Sequence, residues 1–309
     1  MHHFTTISFP GLGLEMNPGY SLNFLGLSFR LYGLMIGIGM MLAVLYAYKH
    51  AKRFGHNFSD IVDGVLFIVP FAILGARLYY CVFEWDQYKH NPISIFYIWE
   101  GGLAIYGGVI FAALGVLVYS KWKKVKIGAV MDITALGFLI GQSCGRWGNF
   151  FNREAFGAET DSFLRMGLLD NATGVTTYYH PTFLYESLWN VAGFVLLHYL
   201  SKKRKFDGQI ALGYVAWYGL GRALIEGLRT DSLYWGAFRV SQVLAAASCL
   251  IAVAVMIVMA LRKPDPANLC VNRMAALAEE AEEEEPEESE EETEESTEGP
   301  AEETSEEEQ

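Results

Sequence analysis

Cysteine is scarce in this chain of 309 residues. Four thiols (Cys81, Cys144, Cys249, Cys270) form no Cys-x-x-Cys pair and no Cys/His cluster. Three lie in or at the ends of apolar segments, where cysteine serves as a small buried hydrophobe rather than a metal ligand or disulfide partner. GxSxG, Walker, HExxH and dinucleotide-binding patterns are also missing, which excludes the common soluble-enzyme motifs. The stretch Met1–Asn17 lacks a basic region followed by an apolar core. No cleavable signal peptide is therefore expected, and the first apolar segment directs insertion itself.

Basic residues are absent altogether after Ala278, where 19 Glu stand. All 23 Lys and Arg lie before that point, with 16 acidic residues, so the body carries +7 although the whole chain carries −12. The chain is 52% hydrophobic and 19% charged, and separating these two parts resolves that contrast. The tail, residues 264–309, is Glu-rich with scattered Ser, Thr and Pro. It cannot bury enough apolar surface to offset its ordering entropy, so it is expected to be a disordered acidic tail.

From about Leu22 to Leu261 the sequence offers apolar stretches of roughly 18 residues or more, enough to cross ~30 Å of hydrocarbon. Seven candidate spans follow, near Leu22–Tyr48, Ile61–Phe83, Gly102–Ser120, Ala129–Gly148, Thr182–Leu200, Gln209–Leu228 and Phe238–Leu261. Lipid cannot satisfy free backbone groups and no barrel alternation is visible, so an all-α integral membrane protein is expected over residues 1–263. Lys49, Lys52 and Arg53 follow the first span. Lys121, Lys123, Lys124 and Lys126 follow the third, Lys202 to Lys205 the fifth, and Arg262 and Lys263 the seventh. These clusters share one side, which the positive-inside rule makes cytoplasmic. The N-terminus is then outside and the C-terminus inside. Because each cluster follows a span, topology explains it better than nucleic-acid binding does. The long polar connection 149–181 is expected to fold as a small outer cap.

Ionisable residues within spans are costly and therefore informative. Arg222, Glu226 and Arg229 stand at i, i+4 and i+7, one stripe of a helix, with Arg222 paired to Glu226 and one positive charge in excess. An interhelical staple and a binding site account for that stripe equally well. Arg146, Asn149, Asn152 and Glu154 lie in Gly145-Arg-Trp-Gly-Asn-Phe-Phe-Asn-Arg-Glu-Ala-Phe-Gly157, after a Gly137-xxx-Gly141-xxx-Gly145 ridge suited to close helix packing. Their density favours a polar pocket entered from the outer leaflet. Arg77 is either a third cation for that pocket or a helix-packing residue. Tyr32 and Tyr106 fit an interfacial aromatic belt. Glycines around Tyr106 also suit close approach of a ligand. His180-Pro-Thr-Phe-Leu-Tyr-Glu186 opens the fifth span, and Glu186 either neutralises a pocket arginine or caps the bundle. Glu154, Glu186 and His180 would suffice for proton transfer. A lipid or solute transporter could use the same charges, but the inverted repeats or matched broken helices that would favour it are not found.

The segment Gly145–Gly157 resembles the signature of the bacterial prolipoprotein diacylglyceryl transferases. So do Arg30-Leu-Tyr-Gly33, Gly75-Ala-Arg77, Gly101–Gly108, His180–Glu186 and Tyr218-Gly-Leu-Gly-Arg222 through Glu226 and Arg229, in family order. The resemblance covers roughly Leu22 to Leu261. It implies transfer of a diacylglyceryl group from phosphatidylglycerol to the lipobox cysteine thiol of prolipoprotein signal peptides. A thioether forms and glycerol 1-phosphate leaves. It implies a multi-pass protein of the bacterial plasma (inner) membrane, with no cofactor and no metal. Tyr32, Arg146, Asn149, Asn152, Glu154, Gly157, Arg222, Glu226 and Arg229 occupy family functional positions. Arg146 and Arg222 are expected to hold the leaving phosphate, with Asn149 and Tyr32 orienting the headgroup. Tyr106 stands where many members carry His, so the general base is left among Tyr106, Glu154 and His180.

Overall fold

The computed structural model describes residues 4–280 apart from 25–26, 99–100, 230–233 and 236–237. Seven long helices occupy the expected segments: α1 (Leu31–His50), α2 (Phe58–Phe83), α4 (Ile105–Trp122), α5 (Ile127–Asn152), α6 (Thr182–Ser201), α7 (Gln209–Ile225) and α8 (Val240–Leu261). A single-turn helix, α3 (Trp85–Tyr88), follows α2. Among the described residues, four stretches are long and apolar enough to cross a membrane: Leu31–Phe54, Phe58–Phe83, Ile127–Asn152 and Val240–Leu261. Tyr106–Trp122 is apolar but shorter. The result is a mostly helical membrane protein.

Helix α5 is the central post. It packs against α1, α6 and α7, while α2 pairs with α4 and α7 with α8. The small-residue ridge explains the α1 contact, since a Cβ on Gly39 would lie 3.1 Å from the Cα of Gly141. At the other end of α5, the fully buried Asp132 accepts hydrogen bonds from the backbone N–H groups of Gly208, Ile210 and Ala211 at 3.0, 2.9 and 2.9 Å. Those donors open α7 and have no intrahelical partner, so a carboxylate from α5 fixes where α7 begins. This seat carries Arg222 to the opposite end.

The all-α expectation needs correction at the end of the bundle where α5 stops. Strands β1 (Phe4–Phe9), β2 (Leu14–Met16), β5 (Met166–Asp170) and β6 (Thr176–Tyr179) form an antiparallel sheet in the order β2-β1-β5-β6. Strand β1 alternates, with Ile7 and Phe9 turned inward and buried with Phe150, Met166, Leu168 and Phe183. The cap is therefore larger than 149–181, because the first residues of the chain complete its sheet. Arg153 welds the two parts. It ends α5 in the left-handed region (φ 52°) and donates to the carbonyls of Thr5 and Pro18 at 2.7 and 2.6 Å. Residues Ser21–Phe24 and Leu27–Arg30 form a hairpin, β3–β4, rather than the start of the first span.

The tail also departs from expectation at its start. Residues 264–280 are described, and 270–280 are helical. Leu269 and Cys270 are buried, and the Cys270 N–H donates to Asp207 at 2.8 Å. Lys126 pairs with the same carboxylate at 3.0 Å. The chain after α8 thus returns to the helix ends that carry the lysine clusters. Residues 281–309, the acidic remainder, lie outside the described residues.

Candidate active site

At the end of the bundle opposite the lysine clusters, three helices deliver charges to one point. Arg146, near the C-terminus of α5, pairs with Glu186 in the first turns of α6 at 2.5 Å. Arg222 of α7 reaches Glu186 at 3.5 Å, and Arg229 reaches it at 3.6 Å. Arg222 also pairs with Glu226. Three guanidinium groups thus meet on Glu186, and one of them also holds Glu226.

The exposure of these groups is unequal. The side chains of Glu186 and Glu226 are 6% and 4% exposed, whereas those of Arg146 and Arg222 keep 21% and 20%. A buried carboxylate is tolerable only when paired and hydrogen-bonded, which is what these arginines supply. The face left open is cationic. Arginine remains charged and presents a planar fork of N–H donors, so this face suits a phosphate.

The expected single stripe Arg222, Glu226, Arg229 is only partly helical. Helix α7 ends at Ile225, Glu226–Leu228 form a 3-10 turn, and Arg229 is extended. The reason lies in Gly157, which forms a bridge with Arg229. Ala158 also takes the Leu228 carbonyl at 2.7 Å through its N–H. A Cβ at Gly157 would come within 2.8 Å of both the Leu228 oxygen and the His180 Cβ. Only glycine fits there. The signature loop therefore pulls Arg229 out of the helix and turns it toward Glu186.

Around this centre the signature residues form a polar chain. Arg146 donates to Asn149 Oδ1 at 3.4 Å. Asn149 and Asn152 donate through Nδ2 to the same Glu154 oxygen at 3.0 and 3.3 Å. Tyr32, at the start of α1, lies against Gly148, whose missing Cβ would sit 2.6 Å from the ring. That places Tyr32 two residues from Arg146 along α5. His180 faces Tyr185, with Nδ1 3.4 Å from the hydroxyl.

Two residues stand elsewhere. Tyr106 is 69% exposed on α4, which packs on α2, and its ring centroid lies 6.5 Å from that of Tyr79. Arg77 is taken up by a loop. It is 3% exposed and donates to the carbonyls of Ser94, Ile95, Tyr97, Gly101 and Gly102. These bonds hold the loop after α3, rather than joining two long helices.

Glu186, left open between two roles by the sequence, is the hub of the cluster. Arg239 and Ser241 were not singled out at all. Arg239 donates to the Glu226 carbonyl, and Ser241 Oγ donates to Glu226 Oε1 at 2.7 Å. Their only sequence signal is position, at the start of α8. Among the described residues no group of three His, Cys, Asp or Glu is placed to hold a metal ion.

Residues 20–258 match the family model described as prolipoprotein diacylglyceryl transferase. The chain belongs to this family. A relative from Listeria welshimeri serovar 6b is 41% identical over 262 residues, covering 83% of this chain and 95% of its own length. One from Listeria monocytogenes serotype 4a is 41% identical over 258 residues, covering 80% and 91%. One from Clostridium botulinum type F, strain Langeland, is 42% identical over 246 residues, covering 77% and 95%. All three are named phosphatidylglycerol–prolipoprotein diacylglyceryl transferase. The family match contains α1 to α7, most of α8, and the whole charged cluster.

Proposed function

We propose that this protein moves the diacylglyceryl group of phosphatidylglycerol onto the lipobox cysteine of a prolipoprotein signal peptide. The observation that carries the reading is the buried Glu186 encircled by Arg146, Arg222 and Arg229. The cationic face so formed is matched to an anionic headgroup. In the reaction the thiolate sulfur attacks the glycerol carbon, forming a C–S bond. The C–O bond to phosphate breaks, and the phosphate ester leaves as glycerol 1-phosphate.

Charge accumulates on the leaving phosphate, so donors fixed in advance lower the barrier most. Arg146 and Arg222 clamp that phosphate, and Glu186 and Glu226 keep both guanidinium groups aimed. Arg229 adds charge from the loop side. Asn149 and Tyr32 orient the headgroup, and Asn152 and Gly157 shape the loop around it. The thiol must lose its proton before it attacks. Glu154 is the acceptor best connected to the cluster, through Asn149 to Arg146. His180 and Tyr106 have no such link among the described contacts.

The fold is read as seven spans, with the sheet-bearing cap outside and the lysine clusters in the cytoplasm of a bacterial plasma membrane. That places the cluster at the outer leaflet, where both lipid donor and acceptor cysteine are accessible. The acidic residues 281–309 are a cytoplasmic appendage without part in the reaction.

The test mixes purified protein with phosphatidylglycerol and a lipobox peptide. The expected result is a peptide whose mass rises by one diacylglyceryl group, and no product from a Cys→Ser peptide. Product from the Ser peptide, or none from the Cys peptide, contradicts the reading.

A further inference from the structure

Helices α6 and α7 carry the same pattern, Trp-x-x-x-Gly: Trp189 with Gly193, and Trp217 with Gly221. The two patterns interlock reciprocally. Trp189 Nε1 donates to the Trp217 carbonyl at 3.1 Å, and Trp217 Nε1 donates to the Trp189 carbonyl at 2.9 Å. The rings stack with centroids 4.4 Å apart and planes inclined by 20°. Each glycine seats the opposite indole. A Cβ on Gly193 would come within 2.3 Å of Trp217 Nε1, and one on Gly221 within 2.3 Å of Trp189 Nε1.

An indole N–H donates in one direction only, so each ring must find its acceptor at one place along the facing helix. Two such bonds running opposite ways fix the sliding register of α6 against α7. The register matters because of what lies a turn away. Glu186 precedes Trp189 by three residues, and Arg222 follows Gly221 directly. Their contact at 3.5 Å is the α6–α7 link of the charged cluster. A second clasp does the same for α5 and α6. Ser143 and Ser187 lie with hydroxyls 3.1 Å apart, and Ser187 Oγ donates to the Ser143 carbonyl at 3.1 Å. Arg146 stands one turn beyond Ser143, and Glu186 is next to Ser187.

We propose that the Trp189–Trp217 clasp is a positioning device that holds Glu186 and Arg222 in register for the phosphate clamp. It rests on the transferase reading above. The indoles bond to backbone carbonyls of the facing helix, so both act through the helices. A slip of about an ångström at a reacting centre costs up to ~100-fold in rate, and loss of one of two bonds permits only part of that slip.

The test uses the full chain in micelles containing phosphatidylglycerol. It measures kcat and KM for the lipobox peptide, with thermal midpoint and near-ultraviolet circular dichroism as checks on folding. Trp189→Phe and Trp217→Phe each remove one donor and keep an aromatic ring. Gly193→Ala keeps both indoles and unseats Trp217, so it decides the matter where a Trp variant fails to fold. Each is expected to lower kcat of the folded protein about tenfold with peptide KM changed less than about twofold. The double Trp variant should lose more than either single one, toward ~100-fold, because it frees the part of the slip that the remaining bond still restrains. Trp122→Phe, on the exposed face of α4, should match wild type. Folded variants that keep full kcat and lose only thermal stability overturn the inference and leave the transferase reading intact. Wild-type protein that makes no product overturns both.

Discussion

Arg146 and Glu186 meet at 2.5 Å across the α5–α6 boundary, where one helix ends and the other begins. A carboxylate buried in that position needs its surrounding arginines, and a guanidinium without the carboxylate would be drawn to water. Together they anchor a cluster whose arginines keep an exposed face. The pairing is also a competition. On the proposed reading, a phosphate entering the site shares Arg146 with Glu186, so the carboxylate sets how tightly the headgroup is held.

Arg77 should behave as a structural residue. Arg77→Lys keeps the charge but cannot reach five carbonyls at once, and Arg77→Ala leaves them bare. Both variants should lower the thermal midpoint, Ala more than Lys, with proteolysis appearing first between residues 89 and 104. Protein that remains as stable as wild type would show that the loop is held by other means.

The buried His56 makes stability pH-dependent. Burial holds its imidazole below the ordinary value of 6.5. As pH falls through that value the unfolded chain takes up the proton first, so the folded state loses ground. Stability should be full above about pH 6.5 and decline below it, with a drop in thermal midpoint of about 2–4 °C between pH 7 and pH 5.5. His56→Gln should flatten that part of the curve. An unchanged slope in the variant would assign the pH dependence to other groups.

Two truncations should separate the halves of the C-terminal region. Removing residues 281–309 is expected to leave transfer activity and thermal midpoint unchanged. Removing everything from Pro264 takes away buried Leu269 and the Cys270 N–H bonded to Asp207. That loss should destabilise the protein by on the order of 2 kcal/mol, read as a lower thermal midpoint. A large activity loss from the shorter truncation would mean that the acidic segment contributes to function.

Much of this architecture was legible in the sequence because its causes are local. Apolar runs mark the helices, and a charge inside such a run has few uses, which pointed to Arg146, Arg222 and Glu226. What stayed hidden depends on distant pairing. Strand β1 is six residues long and finds its partner β5 about 160 positions later, so its alternation carries little weight alone. Arg229 leaves its helix because Gly157 bridges to it, a contact that no helical periodicity contains. Arg77 resembles a pocket cation by type, and only its five carbonyl partners distinguish it. Asp132, unremarked in the sequence, proves to seat the start of α7. The return of residues 264–280 to the helix ends rests on two buried side chains that a Glu-dominated composition masks.

The most direct measurement follows glycerol 1-phosphate release together with the peptide mass shift, for wild type, Arg146→Ala and Arg146→Lys at saturating peptide. Wild type should yield the two products in equal amounts. Arg146→Ala should lower kcat by about 100-fold or more, the scale of losing one preorganised donor to a developing anion. Arg146→Lys should recover only part of it, since a point charge cannot grip phosphate with a fork. Full activity in folded Arg146→Ala would contradict the assignment of this cluster as the transfer site.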